Sequence, residues 1–90
     1  MEFLLKQTCS ACPEQYDVFY KGEQVGYLRL RHGVFTCSYP DASGEKIYEA
    51  YPKGDGIFDY DERDFYIGQA LEHIKRKISQ KIEYDIEIGD

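Results

Sequence analysis

The sequence predicts an α+β fold: an antiparallel β-meander of about five to six strands, with one long C-terminal α-helix packed on one face. Three observations predict it. Strand-like runs recur at about ten-residue spacing from Phe3 onward, separated by turn formers with no helix between them, which is the pattern of neighbouring antiparallel strands. Only one stretch, Asp61 to Ile82, repeats apolar residues at helical spacing, through Ile67, Ala70, Leu71, Ile74, Ile78 and Ile82. A single amphipathic helix cannot bury its own stripe, so the strands must supply the surface it covers.

Phe3 to Gln7 reads as the first strand, and Thr8 to Pro13 as a turn-rich connection. Tyr16 to Tyr20 alternates as a second strand. Lys21-Gly22-Glu23 then reverses the chain, because Gly22 accepts the positive φ of a tight hairpin turn. On the return arm, Gln24 to Arg31, alternation places Gly26, Leu28 and Leu30 on the core face and Val25, Tyr27, Arg29 and Arg31 on the other. Arg31-His32-Gly33 turns the chain into Val34 to Tyr39, where Phe35, Cys37 and Tyr39 share one side. Pro40 to Gly44 is a loop, Lys46 to Tyr51 another strand, and Pro52 to Gly56 a sharp bend leading into a short strand from Ile57 to Tyr60.

Asp61 is placed to cap the helix, with Glu62 and Asp64 in the first turn and Lys75, Arg76, Lys77 and Lys81 toward the far end, in the sense the helix dipole favours. Gly68 costs about 1 kcal/mol against alanine inside a helix, and the expected reason for it is close approach to the sheet. Beyond the helix, Tyr84, Ile86 and Ile88 alternate with three carboxylates, which predicts a final edge strand over 83–88 whose outward acids discourage further pairing. Continuation of the helix is the alternative.

A chain of 90 residues is expected to form a single small domain, 1–90, because this length hides only about 60 to 65 per cent of the unfolded surface. Any active site is therefore shallow or shared. Hydrophobic residues at 42% and aromatics at 16% exclude a disordered chain despite a net charge of -6. Nine Tyr with no Trp suit a half-exposed sheet surface that grips a partner, since tyrosine buries its ring and keeps its hydroxyl wet. No apolar run approaches a bilayer span, Glu2 stands where a secretion signal carries positive charge, and three cysteines do not close a disulfide framework. A reducing cytoplasm is the expected location.

Cys9-Ser10-Ala11-Cys12 is the one motif with a known chemistry. Redox use needs the first thiol at a helix start, and only three residues separate Cys12 from the next strand, which leaves no room for a helix. A zinc-supported domain is the better version, with Cys9, Cys12, His32 and Cys37 as the ligand set. Against it stand the missing second C-x2-C and the place of Cys37 in a core alternation. The residues call for no cofactor. They include no nucleophile elbow, no phosphate-binding glycine loop and no His–carboxylate spacing for acid–base work, so the expected function is not enzymatic.

Charge is unevenly spread: residues 41–66 hold eight acids against three bases, and residues 67–82 four bases against one acid. Overall acidity argues against a general nucleic-acid binder, whose affinity comes from neutralising phosphates. One helix covers only one face of a sheet, so the other face is solvated or an interface. The expected function is a small non-catalytic cytoplasmic binding or regulatory protein that engages a protein partner, or itself, through the face carrying Tyr27, Arg29 and Arg31. A second reading uses the acids from Asp41 to Asp64 and in the tail to imitate a phosphate backbone and occupy the groove of a nucleic-acid-binding protein.

Overall fold

The computed structural model describes residues 1–9 and 13–80 with their side chains and 81–89 as helix backbone. Five strands and one helix follow one another along the chain: β1 (Leu4–Cys9), β2 (Glu14–Tyr20), β3 (Glu23–Arg31), β4 (Val34–Tyr39), β5 (Glu45–Ala50) and α1 (Arg63–Gly89). All strand pairs are antiparallel, and their order in the sheet is their order in the chain, so the predicted meander forms. β2–β3 and β3–β4 close through two-residue turns, Lys21-Gly22 and His32-Gly33, with φ of 52° and 81° in the first and 53° and 75° in the second. Two successive positive φ values give the type I′ turn, whose twist matches that of the strands it joins.

The core lies between the sheet and α1. Val18, Leu28, Leu30, Phe35 and Cys37 point to it from the strands, Ala70, Ile74 and Ile78 from the helix, and Phe58 from the connecting loop. Ile67 and Leu71 flank the buried stripe as its spacing predicts, whereas the side chain of Ile82 lies outside the described residues. α1 packs on β3, β4 and β5. Among the described residues, no element lies over the opposite face of the sheet.

Several local expectations are corrected. Val25 is in the core at 5% exposure, not on the outer face, because Val18 pairs with Gly26 and Phe19 with Gln24, leaving Val25 as the extra residue of a bulge that turns inward. Ile57 to Tyr60 belongs to no strand; it is loop, anchored by Phe58 in the core. The final edge strand over 83–88 is absent because α1 continues to Gly89: no glycine or proline interrupts the chain between Gln80 and Ile88, so nothing stops the helix there. The helix starts at Arg63, where Glu62 rather than Asp61 is the capping position, its carbonyl accepting the Tyr66 N–H at 3.2 Å. Asp61 instead pairs with Lys53 Nζ at 3.2 Å. With the helix extended, Lys75, Arg76 and Lys77 sit mid-helix and the last turn holds no base, so the dipole argument does not apply at that end.

Gly68 is not the point of close approach. A methyl group built there meets nothing within 4 Å, whereas one built on Gly26 of β3 falls 2.5 Å from Ile74 Cδ1. The sheet, not the helix, gives up its side chain where the two layers meet most closely. Gly68→Ala is therefore expected to stabilise the protein by about 0.5–1 kcal/mol, read as a higher urea midpoint at unchanged slope. A lower midpoint would show that Gly68 has a role its surroundings do not reveal.

Candidate functional site

Alternation along β3 sets Tyr27, Arg29 and Arg31 in a row on the uncovered face, as the sequence predicts. Tyr27 stands between Asp17 of β2 and Ser38 of β4, Arg29 between Gln15 and Thr36, and Arg31 beside Val34. The Tyr27 hydroxyl donates to Gln15 Oε1 at 2.7 Å, which fixes the ring against the sheet. Arg31 is exposed and Arg29 half-buried. Ion pairs form elsewhere: Lys46 with Glu49, Lys53 with Asp61, Arg63 with Glu14 and Lys77 with Glu45. Among the described residues, neither Arg29 nor Arg31 forms an ion pair, so two arginines whose Cα atoms are roughly 7 Å apart along one strand present their charge without a directly bonded carboxylate.

At the Arg31 end this row meets a cleft of about 260 Å³ lined by Pro13, Arg31, His32, Asp55 and Gly56. Its far wall is the loop between β5 and α1, fastened to the sheet by two backbone bonds: Gly33 N–H to Asp55 O at 2.7 Å and Glu14 N–H to Gly56 O at 2.8 Å. His32 and Asp55 share the cleft, yet no hydrogen bond joins them among the described residues, so the pair is not set up as an acid–base couple.

Two buried carboxylates hold this loop in place, and neither was evident from sequence. Glu14, 3% exposed, receives Arg63 Nε at 2.8 Å and Nη2 at 3.1 Å, the Phe58 N–H at 3.1 Å and the Tyr16 hydroxyl. Burial alone works to raise its pKa, but the bonds from Arg63, Tyr16 and Phe58 outweigh it and hold the carboxyl below its ordinary range. The same burial, with the Glu14 bond, pushes the Tyr16 hydroxyl up to about 12, so Tyr16 remains a donor at any physiological pH. Glu62, 7% exposed, takes the N–H groups of Lys53 and Gly54 at 2.8 Å and of Asp59 at 2.9 Å. Against the upward push of burial, these three bonds hold its carboxyl low. Among the described residues, no buried side-chain polar atom lacks a partner. One signal for this arrangement is present in the sequence: Asp59-x-x-Glu62 has the spacing of a capping box, in which the later acid reaches back to the earlier N–H. Arg63 and Glu14 carry no such signal, being 49 positions apart.

Of the four residues weighed as zinc ligands, the three that are described, Cys9, His32 and Cys37, do not converge as a site. Cys37 is wholly buried in the core, where burial pushes its thiol up to about 12, and His32 is exposed on the β3–β4 turn. His32 belongs to the turn before β4 and Cys37 is the fourth residue of that strand with its side chain turned into the core, so the exposed ring and the buried thiol do not face one another. Cys9 is half-buried on β1, and Cys12 lies outside the described residues. Among the described residues, no three His, Cys, Asp or Glu side chains converge as metal ligands. His73 packs its ring against Tyr48, centroids 4.7 Å apart, and its Nδ1 donates to Gln69 O at 2.9 Å, a structural role.

No family model, no curated protein and no solved structure matches the chain. No helix among the described residues is long and apolar enough to cross a membrane.

Proposed function

We propose that the protein is a small, non-catalytic binding or regulatory protein of the cytoplasm that engages a protein partner through the uncovered sheet face at Tyr27, Arg29 and Arg31. The observation that carries this reading is the pair of arginines without an ion-pair partner beside an anchored tyrosine, on a face over which no element lies among the described residues, in a chain whose net charge is -6. An acidic protein that keeps two adjacent cations free on an open surface presents a specific contact for a partner's carboxylates, and Arg and Tyr are enriched among the residues that dominate interface energies. The cleft beside Arg31 adds a recess at the rim of that surface.

The phosphate-mimic reading loses ground on particular residues. Glu45, Glu49 and Asp61 each meet a lysine, and Glu62 is spent inside the loop. Fewer acids are left to present a continuous negative surface.

Arg29→Glu combined with Arg31→Glu is expected to weaken partner capture from the protein's own cell extract by at least about tenfold, while the melting temperature moves by no more than about 4 °C, since neither arginine has an ion pair to lose among the described residues. Capture that survives the double substitution, in a variant that remains folded, removes this face as the contact.

A further inference from the structure

The sheet has two edges, and they are treated differently. β5 is packed by α1, carries Glu45, Lys46 and Glu49, and is bulged at Ile47, which lies between the Cys37–Tyr48 and Ser38–Lys46 pairs. Charges and bulges of this kind discourage a strand from another molecule. β1 pairs only with β2, its one irregularity falls at Thr8 beyond the Glu2–Lys6 stretch, and Leu4, its first residue, is 67% exposed. Leu4 lines a groove of about 310 Å³ on the uncovered face with Glu2, Lys6, Phe19 and Lys21, so Glu2, Leu4 and Lys6 share that side of the chain. The pairing of Leu4 with Phe19 would set Phe3 against Tyr20, and their rings are indeed 5.8 Å apart, so the strand direction holds one residue beyond β1.

We propose that β1 is a self-association edge, pairing antiparallel with β1 of a second copy about Leu4. This register sets Glu2 opposite Lys6 of the second copy, Leu4 opposite Leu4 and Phe3 opposite Leu5, and the two-fold axis repeats each pairing. Opposite charges meet on the uncovered side and apolar side chains meet on both. Other symmetric registers with the same face outward lose this match. Centring on Leu5 sets Leu4 against Lys6 and Glu2 against Thr8, where the β1–β2 pairing is irregular, and centring on Lys6 sets two lysines face to face. The joined sheet has ten strands, with both helices on one side and both rows of Tyr27, Arg29 and Arg31 on the other. Those rows remain free, so loss of self-association and loss of partner capture are separable results.

The test is the mass in solution of the untagged chain, by analytical ultracentrifugation from micromolar to millimolar concentration. The unsubstituted protein is expected to dimerise. Lys6→Glu and Glu2→Lys each weaken the dimer by at least about tenfold, because symmetry makes one substitution act at two places. The double variant Glu2→Lys/Lys6→Glu restores the opposite charges and regains the dimer. Both substituted residues are at the surface, and circular dichroism confirms that each variant is folded before its mass is read. A monomer at every concentration, a dimer indifferent to the single variants, or a double variant no stronger than the singles overturns the proposal.

Discussion

Arg63→Ala is expected to destabilise the protein by about 3 kcal/mol, the low end of the range for breaking a buried ion pair, because Arg63 is itself 38% exposed and partly screened by water. What remains is a carboxylate at Glu14, 3% exposed, that keeps the Tyr16 hydroxyl and the Phe58 N–H but has lost its cation. At about 4–8 °C per kcal/mol for a chain of this size, the melting temperature should fall by roughly 12–24 °C. Acid gives a second readout. In the folded state the Glu14 carboxyl titrates below its unfolded value of about 4.3, since burial is outweighed by hydrogen bonds from Arg63, Tyr16 and Phe58. A group with a depressed folded pKa contributes stability that is fully present above the unfolded value and is lost as pH falls through the folded one. The gap in stability between the unsubstituted protein and Arg63→Ala is therefore wide at pH 7 and narrows below about pH 4. A gap of the same size at pH 7 and pH 3 would show that the pair contributes through packing alone.

Gly26→Ala carries the second large effect, about 1–3 kcal/mol of destabilisation, because the new methyl group falls 2.5 Å from Ile74 Cδ1 and 3.3 Å from its Cγ1. Ile74 is 0% exposed, so its terminal methyl cannot turn away without displacing other core atoms. Ile74→Val deletes that methyl and on its own costs about 0.5–1.5 kcal/mol by leaving a small void. Combined, the two changes exchange one methyl group for another in the same space, so their joint cost is expected to be at least about 1 kcal/mol less than the sum of the single costs. Denaturant midpoints of the four proteins give the comparison, and additive costs would place the contact between α1 and β3 elsewhere.

The contrast between Gly26 and Gly68 shows where sequence reasoning succeeds and where it stops. Alternation and turn residues are local, so the five strands, the two glycine turns and the row of Tyr27, Arg29 and Arg31 were legible from short windows. A helix glycine and a strand glycine look equally suitable for close approach until the two layers are docked; only then does Ile74 fall over Gly26. Val25 escaped because one extra residue in β3 reverses the facing of its own side chain while leaving its neighbours unchanged. Tyr84, Ile86 and Ile88 alternate in sequence, but spacing alone does not break a helix that has no breaker before Gly89. Half of the candidate site was hidden for a related reason. Asp55 and Gly56 reach Arg31 and His32 through a loop whose path depends on Glu14 and Arg63, two charges that meet only after folding.

Strand order that copies chain order has a consequence for synthesis. Each hairpin closes with a neighbour already made, so the sheet can assemble as the chain lengthens, without waiting for distant segments. Its cover arrives last, since Ala70, Ile74 and Ile78 follow every strand. While the ribosome is still delivering α1, Leu28, Leu30 and Phe35 form an unroofed oily surface, and that interval is when the nascent protein most needs protection from its neighbours.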